Sequence, residues 1–273
     1  MSLKLLTNIL VHRRPHKSEA EANFLVWWEK QLSKICDFHY DEIGNIHVEI
    51  GTSYTVLHSA HYDTVHFDGI NVPYQTIQYN KKTQILSKPT GAAECLGADD
   101  GAGMYILYKL IEAKIPGYYI FHTGEERGGI GSKWLARNDP NLLKRFTHCF
   151  AYDRKGTESV ITKQRGQKCC SNTLANLFSK KIGKVFRPDP TGSFTDSASY
   201  THLIPECTNI SVGYYNQHTP NETQDVNFLF DLTDRLCNTD LSNLPILNEV
   251  TPKMSLTNKP LSFGVKLPSI KMQ

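Results

Sequence analysis

The sequence has little that would take it out of water. Its longest apolar stretches, such as residues 23–28 and 117–121, fall far short of the ~20 residues a bilayer-spanning helix needs, so no membrane partner is expected. The first residues reach polar Thr7-Asn8 and then His12-Arg13-Arg14 without a full apolar core or a cleavage site, which argues against a secretory signal. Cysteine is present but poorly arranged for cross-linking. Seven thiols (Cys36, Cys95, Cys149, Cys169, Cys170, Cys207 and Cys237) are odd in number, include an adjacent pair and contain no Cys-x-x-Cys. That argues against a disulfide framework and a cysteine-based zinc site, and a reducing cytoplasm is the simplest location. Charge of one sign is also scarce: 30 Lys+Arg face 27 Asp+Glu, and the small excess is spread along the chain, so no nucleic-acid partner is expected. Glycine and proline, at 18 and 13, are near average, and there is no internal repeat or low-complexity tract, which excludes disordered and fibrous classes. What is present is 273 residues, 40% of them apolar, enough to bury a large core in one α/β domain or two small ones. Eleven histidines are the unusual count.

Residues 17–35 place Ala20, Phe24, Trp27, Trp28, Leu32 and Ile35 at helical spacing behind Ser18, a candidate N-cap. Strands are expected at 46–50 and 54–60, and a surface hairpin at 74–87 around Asn80-Lys81-Lys82. A glycine-rich turn at 97–103 then leads into a helix marked by Met104, Leu107, Leu110 and Ile111, which Pro116-Gly117 stops. Further along, helices are expected at 129–137, 173–182, 195–201 and 228–236, with strands at 118–122, 149–152 and 208–212. Strands alternating with helices predict a mixed, largely parallel sheet with helices on both faces. Residues 17–244 would form the core, and the proline-bearing stretch 245–273 an extended segment.

Acidic and imidazole groups fall where such a fold gathers its ligands, beyond the carboxyl ends of the strands. His61-Tyr62-Asp63 follows one strand, Asp99-Asp100 sits in the glycine-rich turn, Glu125-Glu126 follows another strand, Asp153 closes a third, and His218 lies six residues beyond a fourth. Clustered carboxylates repel one another unless cations relieve them. Zinc accepts imidazole nitrogen and carboxylate oxygen, and a pair of zinc ions bridged by one carboxylate activates water for hydrolysis. One glutamate must stay unligated to take the proton from that water, which gives Glu125 and Glu126 separate roles.

Five segments, His61-Tyr62-Asp63-Thr64-Val65, Gly97-Ala98-Asp99-Asp100-Gly101-Ala102-Gly103, Glu125-Glu126-Arg127-Gly128-Gly129-Ile130-Gly131-Ser132, Tyr152-Asp153-Arg154-Lys155-Gly156 and His218-Thr219-Pro220-Asn221-Glu222, resemble the ordered motif set of the co-catalytic di-zinc exopeptidases. That clan includes leucyl-type aminopeptidases, tripeptidase T-type enzymes and related carboxypeptidases and deacylases. The match spans roughly residues 45–235. The resemblance implies a three-layer α/β/α, phosphorylase/hydrolase-like zinc exopeptidase fold and two Zn2+ per chain, with Co2+ or Mn2+ as substitutes. His61, Asp99 and Asp153 would hold one ion, and Asp99, bridging, with Glu126 and His218, the other. Asp63 would accept the second N–H of His61, Glu125 would be the general base, and the Asp99–Asp100 peptide would be cis. Gly192-Ser193-Phe194-Thr195-Asp196-Ser197 resembles a substrate-pocket segment, with Thr195 and Asp196 as its lining residues; its other reading is a cap for the next helix.

Only 65 positions separate Asp153 from His218, too few for the inserted lid or dimerisation domain of some members. A single catalytic domain of the aminopeptidase branch is therefore expected, and a monomer is compatible with it. The substrate would be a peptide with a free N-terminus. A carboxypeptidase or N-acyl amino acid deacylase using the same site is the alternative, and an inactive peptide-binding module a further one. Of the other histidines, His58 and His122 lie within strands and read as core or supporting residues.

Overall fold

A computed structural model describes residues 2–67, 72–248 and 250. Fourteen strands and seven α-helices are present among them. The strands are β1 (His39–Tyr40), β2 (Ile46–Ile50), β3 (Val56–His61), β4 (Gln78–Asn80), β5 (Ile85–Ser87), β6 (Gly117–His122), β7 (His148–Arg154), β8 (Ser159–Ile161), β9 (Lys163–Gln164), β10 (Gln167–Lys168), β11 (Arg187–Asp189), β12 (Glu206–Ser211), β13 (Tyr214–Tyr215) and β14 (Thr223–Asp225). The helices are α1 (Leu3–Val11), α2 (Glu19–Leu32), α3 (Ala98–Glu112), α4 (Ile130–Asn138), α5 (Pro140–Leu143), α6 (Asn172–Ile182) and α7 (Val226–Cys237).

The main sheet runs β1-β2-β6-β3-β7-β12-β8-β11. Its centre, β6-β3-β7-β12, is parallel throughout, while β2 joins β6 antiparallel. These central strands are buried on both faces, so β6 and most of β7 read as apolar runs, while β3 and β12 also bury polar residues such as His58, Ser59, Thr208 and Asn209. Alternate residues of β6 show the two helical layers. Phe121 meets Trp28 of α2, and Tyr119 stacks on His58, on the side where α3 runs along β3 and β7. His122 points the other way, to Tyr200 of a short 3-10 turn (Asp196–Tyr200) that packs with α4. The expected mixed, largely parallel sheet between helical layers is the observed architecture. The hairpin expected at 74–87 is β4-β5, which joins β13 and β14 in a separate four-stranded sheet.

Three expectations change. The core begins before residue 17: α1 buries Leu6, Ile9 and Leu10 completely and packs on α3, each side chain contributing roughly 1.5–3 kcal/mol of apolar burial. A nine-residue helix has only two turns of periodicity to show, and its leucines read equally well as a weak targeting segment. The helix expected at 195–201 is a five-residue 3-10 turn, Asp196–Tyr200. The helix beyond the glycine-rich turn starts earlier, at Ala98, but Asp99 and Asp100 inside it have non-helical backbones. Of the segment expected to be extended at 245–273, residues 245–248 and 250 are described, and Leu247 N–H donates to Glu206 at 2.9 Å; the rest lies outside the described residues.

Candidate metal centre

Because β3, β6 and β7 run parallel and in register, with His61 opposite His122 and Ser59 opposite Ala151, their carboxyl ends deliver their next residues to one edge. His61 ends β3, and its Nε2 lies 3.1 Å from Asp99 Oδ1 and 3.8 Å from Asp153 Oδ1. His218 reaches in from the loop after β13, with Nε2 at 3.1 Å from Asp99 Oδ2 and 2.8 Å from Glu126 Oε1. Asp99 thus stands between the two imidazoles, one oxygen toward each. The ligand atoms of His61, Asp100 and Asp153, of Asp99, Glu126 and His218, and of His61, Glu125 and Glu126 form three groups, each within 4.8 Å. The Asp99–Asp100 peptide is cis, as expected.

Each side chain is fixed by its neighbours. The Asp63 carboxylate accepts the backbone N–H of Glu125 at 3.0 Å and of Glu126 at 3.1 Å, tying the β3 end to the β6 end. His61 Nδ1 is closer to the Asp63 backbone carbonyl, at 3.1 Å, than to its carboxylate, at 3.6 Å, so Asp63 orients the ring chiefly through its main chain. Asp153 accepts the Tyr214 hydroxyl at 2.9 Å, while its backbone exchanges two bonds with the Asn209 amide. Asp100, given no role by its position in the sequence, accepts the N–H groups of His61 and Gly103 and is fully buried. Glu222 accepts the N–H groups of Leu96, Gly97 and Asp99.

The electrostatics are those of acids crowded past what water would allow. Burial, reinforced by Asp153, Asp196 and Glu126, pushes Glu125 up to about 10, and burial with Asp99 pushes Glu126 up to about 7. Burial also raises Asp153 and Asp100. Asp99 goes the other way: burial opposes its charge, but hydrogen bonding to His218 and His61 holds it low. The same contacts to Asp99 and Glu126 lift His218 to about 11. Imidazole nitrogens and carboxylate oxygens with no thiolate are the donor set that suits zinc-like divalent cations.

Of the nine residues expected to act, seven meet here: His61, Asp63, Asp99, Glu125, Glu126, Asp153 and His218. The cleft in front of them is lined by Asp99, Glu125, Asp153, Gln164, Phe194 and Tyr214 among others. Thr195 and Asp196 stand behind that wall, each 1% exposed, and Gly192, Ser193 and Phe194 line it instead. The Thr195 side chain supports the Asp153 carboxylate, and burial raises Asp196 to about 7. Sequence reasoning gave no role to Tyr214, Asn209, Arg14 or Glu222. Glu222 closes the segment His218-Thr219-Pro220-Asn221-Glu222, which is a signal in the sequence; Arg14 carries none.

The fold is that of solved aminopeptidase structures. Aminopeptidase PepT from Bacillus cereus superposes with a TM-score of 0.68 at 15% identity, covering 86% of this chain and 95% of that one. A tripeptidase from Staphylococcus aureus gives 0.69 at 14% identity, with 85% and 95% covered. The TET1 peptidase of Pyrococcus horikoshii, which can assemble into a tetrahedron or a large octahedral shell, gives 0.65 at 15% identity, with 86% and 97% covered. No protein-family model matches the sequence, and no curated protein matches it either.

Proposed function

We propose that this protein is a di-zinc aminopeptidase that hydrolyses peptides with a free N-terminus. The observation that carries the reading is the placement of Asp99 between His61 and His218, flanked by Asp153 and Glu126, with the Glu125 carboxylate beside them. His61, Asp99 and Asp153 would hold one ion and Asp99, Glu126 and His218 the other. Bound there, the ions would lower the pKa of water and polarise the scissile carbonyl. With cations offsetting the neighbouring acids that raise its pKa, Glu125 would be ionised; it accepts the proton of the attacking water at a carboxylate oxygen and returns it to the leaving amine nitrogen as the C–N bond breaks. Asp63, bonded to the Glu125 N–H, keeps that carboxylate against the cleft. Aminopeptidases and a tripeptidase among the structural neighbours support this reading over a carboxypeptidase or deacylase.

We further propose a single catalytic unit working in the cytoplasm. All seven cysteines are free and no described helix is long and apolar enough to cross a membrane, both consistent with that location. A monomer is compatible with a single domain, whereas one neighbour assembles into shells, and light scattering on the purified chain decides between them. The function is tested by metal analysis with a panel of aminoacyl and N-acyl chromogenic amides. Two zinc ions per chain and cleavage of the aminoacyl set only are expected. Glu125→Gln should keep both ions and lose about 10²–10⁴ in kcat; retained turnover would remove Glu125 as the base.

A further inference from the structure

Arg14 has no solvent exposure, lies upstream of every motif, and is bonded to none of the acids of the cluster. Its guanidinium donates to four backbone carbonyls: Nε to Tyr62 at 2.8 Å, Nη1 to Ile9 at 2.7 Å and His12 at 3.2 Å, and Nη2 to Gly97 at 2.8 Å. Tyr62 sits between His61 and Asp63, and Gly97 two residues before Asp99. From the opposite side, the buried Glu222 carboxylate accepts Leu96 N–H at 2.7 Å, Gly97 N–H at 2.8 Å and Asp99 N–H at 2.9 Å. Gly97 is therefore gripped at both its polar atoms, its carbonyl by Arg14 and its N–H by Glu222. It also has φ +77, so the turn it makes is one that glycine favours.

We infer that Arg14 and Glu222 are positioning residues that clamp the Gly97–Asp99 turn and so fix the carboxylate between His61 and His218, making the N-terminal segment part of the metal centre. The inference rests on the di-zinc reading above. The chemistry of each group suits the task. A guanidinium presents a planar fork of five donors, all of which can be spent on carbonyls from segments far apart in sequence, whereas an ammonium cannot span them. A carboxylate accepts several N–H groups at once, and supporting contacts of this kind commonly change metal affinity by about 10–100-fold.

Arg13 supplies the control. It is also buried, and it bonds Glu94 at 2.5 Å and the carbonyls of Phe67 and Val72 where Arg14 bonds those of Tyr62 and Gly97. Zinc affinity is measured by competition with a chromophoric chelator, and the Co2+-substituted protein by its visible absorption spectrum, in the full chain carrying Arg14→Lys, Glu222→Gln or Arg13→Lys. Near-ultraviolet circular dichroism of the metal-free forms checks the fold. Arg14→Lys and Glu222→Gln should each weaken zinc binding about 10–100-fold and alter the Co2+ spectrum, and the double variant should lose less than the product of the two because both act on one turn. Arg13→Lys should lower stability while leaving affinity and spectrum unchanged. Folded Arg14→Lys and Glu222→Gln proteins that bind two zinc ions as the parent does would overturn the clamp. If Arg14→Lys does not fold, Glu222→Gln decides alone. A parent chain that binds no zinc refutes the di-zinc reading itself, an outcome distinct from unchanged affinity in the variants.

Discussion

Gly103 closes the Asp99-Asp100-Gly101-Ala102-Gly103 turn, and a Cβ there would lie 2.5 Å from both oxygens of Asp100 and 2.6 Å from the Tyr152 carbonyl. Neither neighbour can give way easily, because Asp100 is bonded to His61 and Tyr152 lies in the central strand β7. Gly103→Ala should therefore cost about 1–3 kcal/mol in urea unfolding and reduce kcat by displacing Asp100 from the His61 N–H. Tyr214→Phe is a milder probe of the same neighbourhood. It deletes only the hydroxyl that donates to Asp153, and it should weaken zinc binding by about tenfold while leaving near-ultraviolet circular dichroism close to the parent.

At the scale of elements, α2 begins as its sequence predicts. The Ser18 hydroxyl accepts the Glu21 N–H at 3.0 Å, and the Glu21 side chain reaches back to the Lys17 N–H at 2.7 Å, so two of the end donors are satisfied reciprocally. Ser18→Ala should lower unfolding free energy by about 1 kcal/mol and leave kcat/KM unchanged, since the bond it removes is internal to the first turn of α2. α1 is different in kind. Leu10→Ala removes a wholly buried side chain from the helix whose carbonyl at Ile9 receives Arg14, so a loss of about 2–5 kcal/mol should come with a fall in zinc affinity. Unchanged affinity in that variant would show α1 to be packing alone.

For the whole molecule, ligand binding and pH set stability. A chelator should lower the thermal midpoint by about 5–10 °C and added zinc restore it, because an ion at the proposed centre would bind the folded chain and not the separated side chains. His58 gives the pH dependence a definite sign. It is buried between Tyr119 and Tyr152, and desolvation lowers its pKa to about 3, against 6.5 when unfolded. Below pH 6.5 the unfolded chain takes up a proton that the folded one refuses, so stability falls as pH falls. Between pH 6.5 and 5.0 this single group removes roughly 1.5–2 kcal/mol. Denaturant unfolding of His58→Phe at the two pH values should show a loss smaller than the parent's by that amount; parallel losses would mean that His58 is accessible to protons.

The sequence by itself determined the strands β2, β3, β6, β7 and β12, a largely parallel sheet and the residues that the carboxyl ends of these strands present. Burial on both faces makes β6 and most of β7 read as apolar runs, and acids and imidazoles on successive strand ends keep their order along the chain. His61, Asp99, Glu125, Glu126, Asp153 and His218 were legible for that reason. Only the tertiary structure decided what holds them. Arg14 reaches Gly97 across 83 positions and Glu222 reaches Asp99 across 123, and no local periodicity records a contact between segments so far apart. The same limit moved the cleft wall from Thr195 and Asp196 to Gly192, Ser193 and Phe194. Which face of a short turn meets the cleft depends on how it docks against β3, β7 and β12, and that docking is a property of the assembled sheet.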